Sequence, residues 1–198
     1  SSAPNTSSVA VKNKVPFTIF IEKKTIENKI LELANQLSND FKGKNPIFVV
    51  VLTGGFIFAS DLLKSLDFIS EVYFIKVSSY AGLASTGKLN FELEIPKDKI
   101  VGRDIIVLED IIETGLTISG VSQSLKTNGA KSVEIVSLLT KPSCFKCDLT
   151  VKYVGFAISD LFVVGYGLDY NQYGRQLNDI YQIVDASWYF LPNTKDNN

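Results

Sequence analysis

The chain contains no histidine, and its 198 residues include only two cysteines. The absence of histidine excludes a Ser-His-Asp triad, a Cys-His nucleophile pair and a histidine-ligated zinc site. The cysteines, Cys144 and Cys147, form one C-x-x-C pattern without a second pair. We interpret them as reduced thiols in a loop or at the surface, and a redox or metal role is the less favoured alternative.

The sequence also lacks an apolar run of membrane-spanning length, a signal-peptide pattern and a block of basic residues. Its 20 Lys and Arg nearly balance its 21 Asp and Glu, which argues against nucleic acid as a partner. Hydrophobic residues make up 45% of the chain, an ordinary value for a globular protein. These features predict a soluble cytoplasmic protein.

Small polar residues dominate positions 1–14, which predicts a disordered tail or a segment left from cloning. Residues 15–198 are expected to form one domain, because this length suits a single core. Apolar runs at 47–52, 105–108 and 133–139 alternate with helical patterns. This order predicts an α/β domain with a central, mainly parallel sheet flanked by helices.

The stretch 105–117, IIVLEDIIETGLT, joins a predicted buried strand to a predicted helix. Thr114, Gly115 and Thr117 at the start of that helix offer backbone N–H groups, hydroxyls and the positive end of the helix dipole, which suit a phosphate. Glu109 and Asp110 are too acidic for the same phosphate and suit hydroxyl groups or a cation. The pattern therefore favours a ribose 5-phosphate ligand over the alternative of a plain solvated turn.

VLEDIIETGLT resembles the phosphoribosyl pyrophosphate signature of the type I phosphoribosyltransferases, in the form found in hypoxanthine-guanine phosphoribosyltransferases. FVVGYGLDYN at 162–171, followed by Arg175, resembles the 6-oxopurine enzymes of this family. The resemblance implies a purine salvage enzyme that transfers ribose 5-phosphate from phosphoribosyl pyrophosphate to N9 of hypoxanthine or guanine. It also implies a core at about 42–178, and a hood built from about 15–40 and 179–191.

The family's ribose, phosphate and metal sites can be placed on this sequence. Glu109 and Asp110 match the ribose-binding acids, and Glu113 matches the general base that takes the proton from purine N7. The 5′-phosphate loop matches Glu113, Thr114, Gly115, Leu116 and Thr117. Magnesium is the implied cofactor, and its implied protein ligands are Asp169, Glu109 and Asp110.

The family's pyrophosphate and purine sites match further residues. The implied pyrophosphate contacts are Thr53, Gly54, Gly55, Ser79, Tyr80 and Arg175. A cis peptide bond is implied between Thr53 and Gly54, and Ser79-Tyr80 corresponds to a lid over the reacting centre. The implied purine contacts are Lys141, Phe162, Val163 and Asp169. The family also implies a homodimer or homotetramer.

One departure from the signature leaves alternatives open. Glu113 stands where the family usually has aspartate, and glutamate is longer by one methylene. The loop adjusts to it, or the residue loses part of the role, or the substitution is engineered. The rival functions are a different phosphoribosyltransferase, such as a xanthine-preferring enzyme, and a catalytically impaired regulator that binds phosphoribosyl pyrophosphate.

Overall fold

The structure is a computed structural model that describes residues 9–11, 15–79 and 88–183. It contains ten strands and three α-helices within these ranges. The strands are β1 (Val9–Val11), β2 (Val15–Ile21), β3 (Ile47–Leu52), β4 (Glu71–Ser79), β5 (Leu89–Leu93), β6 (Asp104–Ile112), β7 (Ser132–Thr140), β8 (Tyr153–Ala157), β9 (Val163–Val164) and β10 (Ile180–Ile183). The helices are α1 (Lys23–Phe41), α2 (Phe56–Lys64) and α3 (Leu116–Thr127).

Six strands form the central sheet in the order β5-β4-β3-β6-β7-β8. Every neighbouring pair is parallel except β4 and β5, which form an antiparallel edge. Helix α2 connects β3 to β4 and helix α3 connects β6 to β7, as crossovers between parallel neighbours commonly do. The predicted α/β class and mainly parallel sheet are confirmed.

The sheet is buried on both faces, which explains why its central strands have unbroken apolar sequences. Successive residues of a strand point to opposite faces, so Phe48 and Val50 join one hydrophobic cluster while Ile47 and Val49 join the other. The first cluster contains the buried residues of α1 and α2, and the second contains those of α3. The site at the end of β6 is thus held between two packed helical layers.

Helix α1 packs on the central sheet rather than in the hood to which the sequence assigned it. Its apolar residues recur at helical spacing and are buried in the cluster shared with α2. The physical reason is that this apolar face needs a large partner surface, which the central sheet provides.

The smaller sheet is antiparallel, with the order β1-β2-β10-β9. It combines the N-terminal segment with a C-terminal strand, in the arrangement expected for a hood. Two details differ from the prediction. Strand β1 lies inside the segment 1–14, where a tail was expected, and pairs with β2. Strand β9 lies inside the predicted core segment but belongs to the smaller sheet. It pairs with β10, with Tyr181 opposite Val164 and Gln182 opposite Val163.

Strand β6 continues four residues beyond the predicted run at 105–108. Its pairing with β3 ends at Leu108, opposite Val50, but its pairing with β7 continues to Ile112. Glu109 and Asp110 therefore lie within the strand, at the point where β6 separates from β3. The acids remain anchored by β7 while one side of the strand opens towards the site.

No helix within the described ranges is both long enough and apolar enough to cross a membrane.

Candidate active site

The turn between β6 and α3 presents the start of a helix at the carboxyl edge of the sheet. Gly115 is the N-cap residue and has a φ of 80°, a left-handed conformation that glycine adopts easily. Thr114 Oγ1 accepts a hydrogen bond of 3.3 Å from the N–H of Leu116. The first turn of α3 contains no acidic residue. The predicted Thr-Gly-x-Thr helix start is confirmed, with a geometry that suits an anion.

A cavity of about 290 Å³ opens in front of this turn. Its polar lining comes from two carboxylate residues and the helix start, namely Glu109, Glu113, Thr114, Gly115 and Thr117. The structure thus brings Glu109, one of the two predicted ribose residues, to the same cavity as four of the five predicted phosphate residues, while Asp110 and Leu116 are not part of its lining. Glu109 offers an acceptor for hydroxyl groups and the helix start offers donors for an anion, so the lining suits a ligand with a hydroxylated part and an anionic part.

Gly115 is closely packed from behind by the segment after β7. A Cβ atom at this position would lie 3.0 Å from Leu149 Cδ2 and 3.2 Å from Cys147 Sγ. The N–H of Lys146 also donates to the Thr114 carbonyl across 2.9 Å. Both cysteines are free and half-buried. Cys147 is therefore a loop thiol, as predicted, and it packs against the turn that would hold the phosphate.

The two acids of β6 have different surroundings. Glu109 is buried, and its Oε1 accepts a hydrogen bond of 3.1 Å from the N–H of Asp110. Burial raises the pKa of Glu109 well above its ordinary value, and the neighbouring charge of Asp110 raises it further. Asp110 is half-buried, and its Oδ1 accepts a hydrogen bond of 2.8 Å from the N–H of Ile111. Asp110 is the more exposed of the two acids, whereas Glu109 is the one that lines the cavity.

The loop after β3 passes directly beneath Asp110. A Cβ atom on Gly54 would lie 1.9 Å from Asp110 Oδ2, and a Cβ atom on Gly167 would lie 2.2 Å from the Gly54 carbonyl oxygen. Gly167 meets backbone and has a φ of 98°, so this position requires glycine, whereas a side chain at Gly54 would require the Asp110 carboxylate to move. Thr53 is exposed and Gly55 is buried. The loop after β3, strand β6 and the loop that carries Asp169 thus meet at Gly54.

The cis peptide bond of this loop lies between Leu52 and Thr53. The sequence placed it one bond later, between Thr53 and Gly54, and that position is wrong. Leu52 is the last residue of β3 that pairs with β4, opposite Lys76. The chain turns at the first bond after the paired segment.

Lys141 follows β7 and is nearly buried, with 5% of its side chain exposed. Its ammonium donates to Glu113 Oε1 across 2.6 Å and to Asp160 Oδ1 across 3.2 Å. Burial lowers the pKa of Lys141, but hydrogen bonds and charges from these two carboxylates more than offset that effect and leave the pKa raised. The predicted purine lysine and the predicted general base thus form a direct ion pair.

Asp169 and Arg175 lie on the loop between β9 and β10. Asp169 Oδ2 accepts a hydrogen bond of 2.8 Å from the N–H of Gln172, and its Oδ1 lies 3.5 Å from Arg175 Nη2. Arg175 Nη1 donates to the Gly167 carbonyl across 2.8 Å. The guanidinium therefore stabilises the loop that carries Asp169. Gly167 of the same loop lies against Gly54.

Phe162 directly precedes strand β9 of the smaller sheet, and Val163 is the first residue of that strand. The Phe162 ring is half-buried and meets the Tyr170 ring edge-on, with 5.8 Å between centroids. Val163 is buried, and it pairs with Gln182 of β10. The predicted lid residue Tyr80 lies outside the described residues, and so does the side chain of Ser79.

The three predicted metal ligands do not converge in the part of the chain that the structure describes. No group of three Asp, Glu or Cys side chains there could hold a metal ion. The Asp169 carboxylate instead contacts the Gln172 N–H and Arg175 within its own loop. The donor set still fits Mg²⁺, which in phosphate-handling sites takes one or two carboxylates together with substrate phosphates and waters. Asp110 and Asp169 are the half-buried carboxylates that fit this description.

Two features of the site were missed in the sequence. Asp160 contacts Lys141, and the only local signal was an acid two residues before Phe162. The Tyr166 hydroxyl donates to Asp61 Oδ2 across 2.5 Å, which ties the Asp169 loop to α2. Nothing in the sequence pattern marks this pair, since its partners are 105 positions apart.

Comparison with known proteins gives concordant matches. Residues 20–171 match the phosphoribosyl transferase domain family. A hypoxanthine-guanine phosphoribosyltransferase from Staphylococcus aureus (strain Mu50) is 42% identical over 163 residues, which cover 80% of this chain and 89% of the relative.

Solved structures of similar proteins agree with the sequence matches. A hypoxanthine phosphoribosyltransferase from S. aureus superposes with a TM-score of 0.81 and 38% identity, covering 86% of this chain and 92% of its own. A hypoxanthine-guanine phosphoribosyltransferase from Bacillus anthracis, solved with HEPES in its active site, gives 0.80 and 37%, covering 84% and 98%. With the phosphate-type turn, the acidic pair and the Gly54 contacts in place, the chain belongs to the phosphoribosyltransferase family, within the group that contains the hypoxanthine-guanine enzymes.

Proposed function

We propose that this protein is a purine salvage enzyme that transfers ribose 5-phosphate from phosphoribosyl pyrophosphate to N9 of hypoxanthine or guanine, giving IMP or GMP and pyrophosphate. The observation that carries the proposal is the 2.6 Å contact between Lys141 and Glu113 at the wall of the phosphate-type cavity. It puts a cationic donor for a purine oxygen and a candidate base next to the place where ribose 5-phosphate would bind.

The phosphate end of the substrate would bind at the start of α3. Backbone N–H groups at Gly115, Leu116 and Thr117 and the hydroxyls of Thr114 and Thr117 would surround it, with favourable support from the helix dipole. The ribose hydroxyls would meet Asp110 and Glu109. Because Asp110 lies over Gly54, the proposed ribose site would adjoin the proposed pyrophosphate loop.

The pyrophosphate leaving group would lie over the loop Thr53–Gly55. Arg175, Ser79 and Tyr80 are its other proposed contacts, which together would offset its negative charge. Asp169, together with Asp110 or Glu109, would hold a magnesium ion. When bound, this ion would neutralise negative charge on the departing pyrophosphate. Closure of the lid segment would keep water from the cation-like anomeric carbon.

The purine would bind between the end of β7 and the hood. Lys141 would donate to the 6-oxo group, Phe162 would stack on the ring, and the Val163 backbone and the Asp169 loop would bound its edge. Glu113 would take the N7 proton after leaving Lys141. A lysine donor favours a 6-oxo group and is mismatched to the 6-amino group of adenine, which is itself a donor.

Magnesium dependence is part of the same proposal. We expect activity to be lost after thorough chelation and restored by added Mg²⁺, because the proposed metal ligands are hard oxygen donors. Asp169→Asn should raise the Mg²⁺ concentration needed for half-maximal activity. Full activity of the chelated protein would contradict this part.

We also propose a cytoplasmic homo-oligomer, a dimer or a tetramer. Phe74 and Leu93 expose 46% and 45% of their surfaces, and the pairing of Lys76 with Leu93 puts both on one face of the β4–β5 edge. An apolar pair of this kind is suited to a subunit contact. Light scattering after gel filtration should give a mass of two or four chains, and Phe74→Lys should lower it; a monomeric parent would contradict the proposal.

One assay tests the enzymatic proposal against its alternatives. The protein is incubated with Mg²⁺, phosphoribosyl pyrophosphate and hypoxanthine, guanine, xanthine or adenine, and nucleotide is measured. We expect IMP and GMP, with adenine poorly used. Adenine turnover equal to that of hypoxanthine, or a clear preference for xanthine, would indicate another purine enzyme. Binding of phosphoribosyl pyrophosphate without any nucleotide would indicate the regulator.

A further inference from the structure

Lys141 has one ammonium group and two carboxylate partners from different loops. Glu113 comes from the turn after β6, whereas Asp160 comes from the segment between β8 and β9. The Glu113 contact is the shorter, at 2.6 Å against 3.2 Å. Asp160 has no place among the residues assigned to phosphate, ribose, pyrophosphate or purine. Its contact with Lys141 therefore needs an explanation of its own.

The position of Asp160 is set by backbone hydrogen bonds next to Lys141. The N–H of Ile158 donates to the Thr140 carbonyl across 2.8 Å, which joins the ends of β8 and β7. The N–H of Leu161 donates to the Ser159 carbonyl across 2.8 Å, which forms a tight turn around Asp160. This hydrogen-bonded turn places the Asp160 carboxylate next to the Lys141 ammonium, although 70% of the Asp160 side chain is exposed.

The proposed reaction removes one of the two carboxylates from Lys141. If Glu113 accepts the proton from N7, its carboxylate must leave the ammonium, which is nearly buried. An ammonium in such a place is costly to leave without a counter-charge. With no second anion, Lys141 would hold Glu113 more tightly and oppose its transfer to the purine.

We propose that Asp160 is a positioning residue that keeps Lys141 charged and directed into the purine site while Glu113 moves from the lysine to the base. The inference rests on the proposed function. On this proposal, purine binding replaces one of the two partners of the Lys141 ammonium. The 6-oxo group takes the place of the Glu113 carboxylate, and Asp160 remains in contact with Lys141. Asp160 touches no reacting atom and acts through Lys141.

The test compares four proteins with hypoxanthine as the varied substrate: the parent, Asp160→Asn, Asp160→Glu and Asp98→Asn. Asp98 is an exposed acid in the turn Lys97–Lys99, so Asp98→Asn controls for the loss of one negative charge. Asp160→Asn should lower kcat/KM for hypoxanthine about 3- to 10-fold, the range between an exposed ion pair and a charge-assisted hydrogen bond. Its KM for phosphoribosyl pyrophosphate should stay within about twofold of the parent value, because the phosphate end is untouched. Asp160→Glu should recover most of the loss, and Asp98→Asn should match the parent.

A second arm separates positioning from a general structural effect. In a Glu113→Gln background, Asp160 is the one remaining carboxylate partner that the structure shows for Lys141, so adding Asp160→Asn should lower kcat/KM for hypoxanthine by a larger factor than it does in the parent. Radiolabelled hypoxanthine gives the sensitivity that this slow background needs. Equal losses in both backgrounds would overturn the inference, as would an Asp160→Asn protein that matches the parent. A parent that makes no nucleotide would overturn the proposed function and this inference with it.

Discussion

The hydroxyl of Tyr166 donates a 2.5 Å hydrogen bond to Asp61 Oδ2, and this contact joins the Asp169 loop to the middle of α2. Tyr166 is buried and has a φ of 52°, between two glycines of positive φ. Its neighbour Gly167 lies against the Gly54 carbonyl. Through this pair the pyrophosphate loop, the candidate magnesium ligand and α2 form one packed unit.

Removing that hydroxyl should loosen the unit. We expect Tyr166→Phe to lower the free energy of unfolding by about 1–2 kcal/mol, because the hydrogen bond is partly buried and joins a tyrosine hydroxyl to a carboxylate group. Urea denaturation measures the change. Tyr73→Phe is the matched control, since Tyr73 donates to Glu71 in an exposed pair, where the expected change is below about 0.5 kcal/mol. Equal effects of the two variants would contradict the structural role of Tyr166.

The buried Glu109 predicts a pH-dependent stability. Burial and the charge of Asp110 raise the pKa of Glu109 in the folded protein above its value in the unfolded chain. The contribution of Glu109 to the free energy of unfolding is therefore fully present below the unfolded pKa, and it is lost as pH rises through the folded pKa. Glu109→Gln cannot ionise. The unfolding free energy of this variant relative to the parent should therefore increase as pH rises from about 4 to 7.

Urea unfolding at several pH values measures this trend. Glu94→Gln, at an exposed position directly after β5, is the control and should show no such trend. A Glu109→Gln protein whose relative stability falls with rising pH would show that the folded state favours ionised Glu109.

Glu113 is the residue whose identity departs from the family signature. If it takes the N7 proton, Glu113→Gln should lower kcat about 10²–10⁴-fold, the usual contribution of a general base. Binding of phosphoribosyl pyrophosphate should change much less, because phosphate recognition rests on Thr114, Thr117 and backbone N–H groups. Steady-state kinetics and calorimetric titration measure the two effects separately.

Glu113→Asp tests the length of the side chain. Aspartate is shorter by one methylene, so it should lose the 2.6 Å contact with Lys141. Activity equal to or above that of the parent would mean that the longer side chain is a handicap. A damaged variant would mean that the loop has adapted to glutamate, and a fully active Glu113→Gln would remove Glu113 as the base.

The Gly54 contact predicts a strong steric effect. A methyl group at this position would collide with Asp110 Oδ2, so Gly54→Ala should destabilise the protein by about 1–3 kcal/mol and impair catalysis. The destabilisation should be smaller in an Asp110→Ala background, where the colliding carboxylate is absent. Thermal unfolding of the four proteins of this cycle measures the coupling. An additive result would show that Gly54 and Asp110 are not in contact.

The sequence by itself determined the local features of this protein. The helix start at Thr114–Thr117, the apolar strand at 105–108 and the amphipathic pattern of α1 could be predicted because each depends on residues within a few positions of one another. The same holds for the α/β class, since alternating strands and helices leave few ways to bury two faces of a sheet.

Tertiary structure alone decided which of these features meet. The contacts of Lys141 with Glu113 and Asp160, and of Gly54 with Asp110, depend on the neighbours of each strand and on the exact ends of the pairing. The length of β6 follows from its pairing with β7, not from its own apolar run. Helix α1 packs on the central sheet because its apolar face needs a large partner surface, and a one-dimensional pattern cannot specify which surface that is.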